Sequence, residues 1–401
     1  MVERREGKLM SVSASPFLES RKQASQHLGQ LTVPTIEQEN YRFSPASNVN
    51  WNLSGNTSLA AMETPSQEEG ELALLFVSGS TETLQGKPDC IFQALASVSD
   101  IPTSVAPKEP FSDDKYAQLS LAAWRNGIYL YVPAGKKIDL PLRALQEFRG
   151  EQANFRTIID LGEDASVKLV DEYVGDARVV TGILQFHLAK NAVLEYSQVQ
   201  RLSSQSQFFL RQDIQLAEGA KFEYTPLYLG ASSGQLRSQT FLNGAAASFS
   251  VAGAARGSQS QHFDFWMDVN HPVPDTKSGI DFWFVMDDQS RAVFNGLVHI
   301  GKNGIGTDAY QKCKTLLLSD KAQVNALPKL IIQTDAVKCA HGASISSIQA
   351  EQVHYLQSRG ITAAEARRMI VRGFTAPVVD RLPTLALHER IDALIAQKEK
   401  L

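Results

Sequence analysis

The middle of the chain repeats one pattern of apolar and polar positions every 27 or 28 residues. Each copy begins with an alanine, has large apolar residues two and four positions later, and follows a polar or glycine-containing turn. Alternation with a period of two predicts a strand with one buried face. A repeat of about 20 to 50 residues is typical of a solenoid, in which each unit stacks on the next. The regular copies are Ala165/Val167/Leu169, Ala192/Leu194/Tyr196, Ala220/Phe222/Tyr224 and Ala247/Phe249/Val251.

The period fits a coil of two or three short strands, so the sequence predicts a β-helix or a closely related β-solenoid. The competing fold is an antiparallel β-sandwich, whose turn signals recur about every 8 to 12 residues. A sandwich does not require equivalent alanines at near-constant spacing, and we therefore prefer the solenoid. Later copies at Ala292 and Ala322 have longer spacing, which indicates inserted loop residues around 301–306.

Helical patterns occur at the two ends of the chain. Residues 16–31 match an amphipathic helix moderately well. Near the other end, Ser346 and Gln349 have the spacing of a capping box, and Gly360 is placed to end the helix that follows.

Two further helices are predicted beyond Gly360. One begins at Thr362 and ends at Gly373, and the last runs from about Thr384 to Gln397. These features divide the chain into an N-terminal helical or irregular segment (1–66), a β-helix core (67–345) and a C-terminal helical domain (346–401).

Composition excludes several classes of function. The chain has 39 basic and 43 acidic residues and a formal net charge of −4, so it has no excess of positive charge to neutralise nucleic-acid phosphates. No apolar run reaches the roughly 18 residues of a membrane span. The first residues lack the apolar region of a secretory signal, and their glutamates disfavour a transit peptide. We therefore expect a cytoplasmic protein.

The three cysteines, Cys90, Cys313 and Cys339, are far apart in sequence, and no CxxC pair occurs. This is not the pattern of a secreted disulfide framework. The chain alone cannot supply the four thiolates that usually hold an iron–sulfur cluster. We interpret Cys90 and Cys313 as packing residues.

Two C-terminal motifs carry the most specific signal. KCAHGA at 338–343 and YLQSRGI at 355–361 resemble the C-terminal signature of the SufB/SufD family of iron–sulfur cluster assembly proteins. The family's AR and GF pairs are matched at 366–367 and 373–374. The resemblance extends upstream through 271–278 (HPVPDTKS), 293–296 (VFNG) and 309–311 (AYQ).

Cys339 and His341 are two residues apart, so on a strand both side chains would lie on one face and could bind a borderline-soft metal such as iron. The spacing alone is a weak signal, because a buried cysteine beside a satisfied histidine gives the same pattern. The resemblance implies that His341 lies at the contact with a SufB-like paralogue, helps to build the nascent cluster and binds iron transiently. For Cys339, a functional role and a packing role stay open.

The resemblance also implies a mainly β fold, a right-handed parallel β-helix with helical N- and C-terminal segments. The C-terminal helices are expected to dock SufC, the ABC-type ATPase of the family's complex. The shorter chain, with no cysteine before Cys90, is similar to the SufD branch rather than to SufB. The residues implicated in ATPase docking are Tyr355, Arg359, Gly360, Arg367, Gly373 and Phe374.

The chain is therefore expected to be a scaffold rather than an enzyme, since no GxxxxGK[ST] phosphate loop occurs in it. No cofactor is expected to be bound stably by this chain alone. An iron–sulfur cluster would be shared transiently within the complex, and reduced flavin is considered only at the level of that complex. A homodimer is a further possible assembly.

Two alternatives stay open at the level of the sequence. Parallel β-helices also carry carbohydrate lyases and hydrolases, for which Asp264, Asp268 and Asp287-Asp288, with Arg291, are the candidate residues. A purely structural homodimer would explain the fold but would leave the C-terminal motifs without a role. His271 is interpreted as a turn residue that supports one rung.

Overall fold

The computed structural model describes residues 17–35, 49, 66–78, 81–98 and 111–397. Most of the N-terminal segment expected over 1–66 lies outside the described residues. The helices are α1 (Leu18–Gln30), α2 (Lys115–Ala123), α3 (Ala350–Gln357), α4 (Ala363–Val379) and α5 (Leu385–Gln397). The strands are β1 (Ala73–Ser78), β2 (Thr81–Gly86), β3 (Ile91–Ala94), β4 (Ile128–Val132), β5 (Leu142–Phe148), β6 (Gln152–Leu161), β7 (Ser166–Gly175), β8 (Val179–Leu188), β9 (Val193–Gln200), β10 (Gln207–Leu216), β11 (Lys221–Tyr228), β12 (Ser233–Leu242), β13 (Ser248–Gly257), β14 (His262–His271), β15 (Lys277–Met286), β16 (Arg291–Ile300), β17 (Asp308–Leu317), β18 (Gln323–Ile332) and β19 (Lys338–Ser347).

The strands form two sheets wound as a parallel solenoid. Sheet A contains β1, β2 and the odd-numbered strands from β5 to β19, and sheet B contains β3 and the even-numbered strands from β4 to β18. From β4 onwards, successive strands alternate between the sheets, so each pairs in parallel with the strand two places further on. One turn is therefore two strands. The predicted parallel β-solenoid is confirmed, with helices at both ends of the chain.

The repeated alanine marks a tight corner at which the chain enters sheet A. The four alanines of the regular copies are fully buried. The residue before each one has a positive φ, and in the first three copies its backbone N–H donates to a carbonyl of the next turn, as in Asp164 to Lys190 and Asn191 to Glu218, both 2.9 Å. Glycine and asparagine adopt this left-handed backbone most easily. The corner residues of these copies are Asp164, Asn191, Gly219 and Ala246.

Lumenal side chains stack in columns through successive turns. The rings of Tyr196 and Tyr224 are stacked at 5.6 Å, and those of Phe222 and Phe249 lie 5.7 Å apart. Aromatic pairs at such distances add to the stabilisation from burial. One column needs a glycine, because a Cβ at Gly253 would lie 2.5 Å from the ring of Phe282. The core is thus a filled lumen that no single rung could bury alone.

The N-terminal helices cover part of the outer face of sheet B. Tyr116 of α2 stacks on Phe209 of β10, with ring centroids 4.3 Å apart. Asp114 accepts the Ala117 N–H at the start of α2 and also an N–H of Arg211 at 2.7 Å. Burial would raise the pKa of Asp114, but the neighbouring guanidinium groups hold it below its usual value. This ion pair fixes α2 on the sheet.

The C-terminal helices α4 and α5 cover the outer face of sheet A. Val378, Leu387 and Ile391 belong to one buried cluster with Leu227 and Trp283 of the sheet. No helix in the described part of the chain is both long and apolar enough to cross a membrane.

Two predicted helix boundaries are wrong. Helix α4 does not end at Gly373 but continues to Val379 with Pro377 inside it, because its apolar stripe stays packed on sheet A. Ser346 is not a cap: it lies in β19, where its hydroxyl donates to the Thr315 carbonyl at 3.0 Å. The capping box is formed instead by Gln349 and Gln352.

Candidate functional site

Cys339 and His341 lie on β19, the last described strand of sheet A. In the parallel register, Cys339 pairs with Ala309 and His341 with Gln311 of β17. Ala309 and Gln311 are buried in the lumen, so Cys339 and His341 also lie on the lumenal face. Cys339 is half-buried and packs against the main core cluster, whereas His341 is exposed. The strand therefore brings both side chains to the end of the lumen.

This end of the solenoid is open within the described structure. Strands β18 and β19 are the last described members of their sheets, so each has one edge without a described partner strand. Ile332 and Ile345 are 42% and 56% exposed here, although Ile300 and Thr315, their lumenal register partners on the rung below, are buried. Leu327 and Ile331, on the outer face of β18, are 41% and 48% exposed. An exposed strand edge with apolar side chains is a template for pairing with another chain. We call β18, β19 and these four side chains the end rung.

Burial keeps the thiols of this chain protonated at neutral pH. It raises the pKa of Cys339 and raises that of Cys313, the buried thiol one rung below, to about 12. The thiolate is the form that binds metal, so any metal bound at Cys339 would have to displace a proton. Among the described residues, no three His, Cys, Asp or Glu side chains are grouped to hold a metal ion. One copy of the end rung thus offers Cys339 and His341 and leaves coordination positions for other ligands.

Helices α3 and α4 form an exposed hairpin after β19. Tyr355 is 58% exposed; the Arg359 guanidinium stacks over its ring at 5.3 Å and donates to its hydroxyl at 3.1 Å. Gly360 has a φ of +84°, which lets the chain reverse into α4. Thr362 caps α4 by accepting the Glu365 N–H at 3.2 Å, as its position in the sequence predicts.

The remaining predicted docking residues differ in position. Arg367 and Gly373 are exposed on α4, and a Cβ at Gly373 would meet nothing within 4 Å. Phe374 instead is partly buried and packs against the cluster between α4 and sheet A. Arg372 reaches Asp392 of α5 at 2.8 Å. Of the residues predicted to dock the ATPase, the exposed ones thus lie on the hairpin, whereas Phe374 packs where α4 meets sheet A.

His271 stabilises a corner of the solenoid, as expected for a turn residue. It ends β14 with its imidazole buried, and its two ring nitrogens hydrogen bond with the hydroxyls of Thr276 at 2.8 Å and Ser278 at 2.9 Å. Burial lowers its pKa to about 4, so the ring is neutral at pH 7. The HPVPDTKS motif is explained by these hydrogen bonds.

Three of the carboxylates considered for a carbohydrate-active enzyme make hydrogen bonds or ion pairs between turns of the solenoid. Asp287 lies 3.6 Å from a guanidinium nitrogen of Arg256, and Asp288 accepts the Gln259 N–H at 2.8 Å. Asp264 accepts from the Gln235 amide at 3.3 Å, across the outer face of sheet B. Asp287 and Asp288 are thus turn residues, whereas Asp264 belongs to a strand.

The residue patterns assigned no role to three features of the structure. Gln311 lies one rung below His341, and Ile345 lies on the same lumenal face of β19. Continuing the period of two from Cys339 would have found Ile345. The ion pairs of Glu172 with Arg143, Arg201 and the distant Arg390 of α5 have no local sequence signal.

Sequence comparisons with known proteins identify relatives of this chain. The model of the SUF system FeS cluster assembly SufBD core domain matches residues 145–374, more than half of the chain. The chain is 27% identical to the iron–sulfur cluster assembly protein SufD of Escherichia coli strain K12, over 94% of this chain and 92% of that protein. It is 28% identical to SufB of Bacillus subtilis strain 168, over 68% of this chain and 60% of that protein.

The matched region runs from β5 into α4 and includes β19 with Cys339 and His341. Family, fold and C-terminal motifs therefore coincide on the same residues. The chain belongs to the SufB/SufD family of iron–sulfur cluster assembly proteins.

Proposed function

We propose that this chain is a non-ATPase scaffold subunit in iron–sulfur cluster assembly, which pairs through its end rung with a SufB-like paralogue. One observation carries the proposal: a lumenal thiol and imidazole, Cys339 and His341, lie on the last described strand, beside exposed apolar side chains. A partner that continues both sheets would bury Ile332 and Ile345 and enclose the two metal-binding side chains.

In this account the iron and sulfide of the nascent cluster are the cargo of the site. The His341 imidazole binds iron through a neutral ring nitrogen, and Cys339 adds a thiolate once iron displaces its proton. A cluster needs about four ligands, so the paralogue supplies the others. The cluster is then shared, and later transfer requires the interface to open. Reduced flavin stays a hypothesis for the whole complex, with no residue of this chain assigned to it.

The α3–α4 hairpin is the proposed dock for the ABC-type ATPase SufC. Its support is an aromatic anchor, Tyr355, held by Arg359 on an otherwise exposed hairpin. Tyrosine and arginine are enriched among residues that dominate binding energy at interfaces. Because α4 continues from the hairpin onto sheet A, motion of a bound ATPase would be transmitted to the solenoid. A homodimer through the same end rung is the alternative assembly, with the second copy replacing the paralogue.

Pairwise co-expression tests both surfaces. We expect Ile345→Asp to abolish co-purification of the SufB-like paralogue, because it buries a charge in an apolar contact, and to leave SufC binding intact. Tyr355→Ala should do the reverse and weaken SufC binding at least about tenfold, as loss of an interface anchor does.

The matched controls are Leu140→Asp and Leu385→Ala, which change residues that are 51% and 79% exposed away from both surfaces. Both controls should bind both partners as the unmodified chain does. Partner binding by Ile345→Asp and Tyr355→Ala at the unmodified level would contradict the two assignments.

A further inference from the structure

The two open edges of the end rung differ in the backbone groups that they offer to a partner. Within a parallel sheet, successive residues of a strand direct their N–H and C=O groups to opposite neighbours. The Lys338 N–H of β19 donates to the carbonyl of Thr307, just before β17, at 2.9 Å, so the even-numbered residues of β19 bond to β17. The odd-numbered residues, which include Cys339 and His341, therefore direct their backbone groups to the edge that has no partner in the described part of the chain.

The open edge of β18 lacks one donor. The Gln323 N–H donates to the carbonyl of Ser290, just before β16, at 3.1 Å, so the odd-numbered residues of β18 bond to β16. The even-numbered residues, with Pro328 among them, face the open edge. Proline has no backbone N–H, so the row of donors along β18 is interrupted near its middle.

Strand β18 also carries the side chains with which proteins protect an edge. Natural edge strands are protected against unwanted pairing by proline and lysine. Pro328 and Lys329 lie side by side in the centre of β18. Strand β19 contains no proline, and its one lysine, Lys338, is its first residue. Of the two edges, β19 is therefore the one that is open to continuous pairing.

The interruption in β18 lies across the lumen from the metal-binding pair. Gln311 of sheet A donates through Nε2 to the Lys329 carbonyl at 3.0 Å, and Gln311 is the register partner of His341. Pro328 pairs with Gly296, where a Cβ would lie 1.8 Å from Gln311 Oε1. Gln311 thus reaches across the lumen to the row of Pro328, so that row is at the level of His341.

We propose that β19 carries the main-chain pairing with the SufB-like paralogue and that β18 makes the weaker contact. The occupant of the β19 edge is an extended strand of the paralogue, because main-chain hydrogen bonds provide the affinity when a strand is added to a sheet. The β18 contact separates more easily, and at Pro328 it opens opposite His341. Iron and sulfide therefore enter and leave on the sheet B side. The inference rests on the proposed pairing through the end rung.

A matched pair of proline variants tests which edge the paralogue needs. Ala343→Pro removes one N–H from the open edge of β19, and Ala326→Pro removes one from the open edge of β18. Neither change removes a hydrogen bond to the rung below. We expect Ala343→Pro to lower recovery of the co-expressed paralogue at least about tenfold, because a donor is lost and an acceptor of the partner is left unpaired.

The controls separate the backbone effect from other changes. Ala326→Pro should bind the paralogue nearly as the unmodified chain does, because Pro328 already interrupts that edge. Ala343→Ser keeps the N–H and should also bind normally. Melting temperature and retained binding of SufC show that each variant is folded.

Hydrogen exchange of the unmodified chain tests the same assignment without a variant. The full chain is compared alone and in complex with the paralogue, by mass spectrometry. Pairing should slow exchange within 338–347 at least about tenfold more than within 323–332. Equal protection of the two segments would overturn the assignment of β19.

Restoring the missing donor tests the role of the β18 contact. Pro328→Val supplies an N–H at the open edge, and Leu330→Val is the control, since it changes a lumenal side chain of the same strand without changing its donors. The rate at which excess EDTA removes iron from the assembled complex is measured. Pro328→Val should slow this rate at least about threefold, the effect of one added main-chain hydrogen bond, and Leu330→Val should leave it unchanged.

The outcomes separate this inference from the proposed function. If Ala343→Pro binds the paralogue normally, or if Ala326→Pro loses it equally, the assignment of β19 is wrong. The proposed function still stands in that case, provided that Ile345→Asp abolishes binding. An unchanged rate of iron removal in Pro328→Val would overturn the role of the β18 contact. Normal binding of the paralogue by Ile345→Asp would instead contradict the proposed function itself.

Discussion

At the scale of single residues, the sequence pattern predicts correctly that Cys339 and His341 of the end rung lie on the same face of a strand. Cys339 and His341 share a face because a strand has a period of two, and β19 is a strand. Their exposure could not be predicted, because it depends on which rung is last. The same applies to Gln311: its position in the AYQ motif is visible, but its unpaired oxygen depends on contacts with β16 and β18.

Asp171 is a second informative residue, because it is a carboxyl group buried in the lumen. Tyr173 and Tyr196 donate to its Oδ2 at 2.8 Å, and Gln146 donates to its Oδ1 at 2.8 Å. Burial raises its pKa to about 6 despite these donors. Because the folded-state pKa lies above the unfolded value, its contribution to stability is complete below about pH 4 and is lost as the pH rises through 6.

We therefore expect Asp171→Asn to change the free energy of unfolding in a pH-dependent way. Relative to the unmodified chain, the variant should be more stable at pH 7.5 than it is at pH 4.5. The difference should be up to about 3 kcal/mol, the free-energy equivalent of a shift of roughly two pKa units. Gln146 can turn its unpaired carbonyl towards the new amide. Denaturation at both pH values measures the effect, and Asp320→Asn at an exposed turn is the control. A stability difference that does not change with pH would contradict the assigned pKa.

At the scale of secondary structure elements, the repeat predicts the solenoid because identical local patterns must stack to bury their apolar faces. Helix existence was also predictable, since the capping residue Thr362 and the stripe around Leu387 and Ile391 are local signals. The position at which α4 ends was not predictable from local signals. Gly373 usually ends a helix in isolation, but here the packing of Val378 and Val379 on sheet A extends α4 past it. The expected domain limits at 66 and 345 stay predictions.

Helix α5 is held to sheet A by a buried ion pair. Arg390 donates to Glu172 at 2.7 Å and to Glu68 at 2.9 Å, and Glu172 has no exposed side-chain surface. Burial would raise the pKa of Glu172, but Arg143, Arg390 and Arg201 hold it below its usual value. The pair therefore connects the C-terminal helices to the chain just before β1 and to β7.

Arg390→Met should loosen α5 while leaving the solenoid folded, because Glu172 keeps its two other guanidinium partners. We expect amides within 385–397 to exchange with solvent roughly thirtyfold faster, which corresponds to a loss of about 2 kcal/mol in local stability. Hydrogen exchange measured by mass spectrometry reports this directly. Arg372→Met is the matched control, since its side chain is mostly exposed and its pair with Asp392 should contribute little. Equal exchange rates in the two variants would contradict a special role for the buried pair.

At the scale of the whole molecule, the solenoid has two different ends. At its start, the antiparallel pairs β1–β2 and β3–β4 terminate the two sheets. At its far end, β18 and β19 carry exposed apolar side chains together with Cys339 and His341. The outer faces of the sheets are covered in part by α2 and by α4 and α5. This asymmetry is the physical support for the proposal that partner pairing and cluster chemistry occur at one end.

The measurement that tests this account most directly is the iron and sulfide content of the complex of this chain with the proposed SufB-like and ATPase partners, purified without oxygen. It compares the unmodified chain with His341→Ala and with His299→Ala, which changes a half-buried histidine on β16. The account predicts an assembled complex with at least about a tenfold loss of cluster in His341→Ala and none in His299→Ala. Normal cluster content in an assembled His341→Ala complex would contradict it.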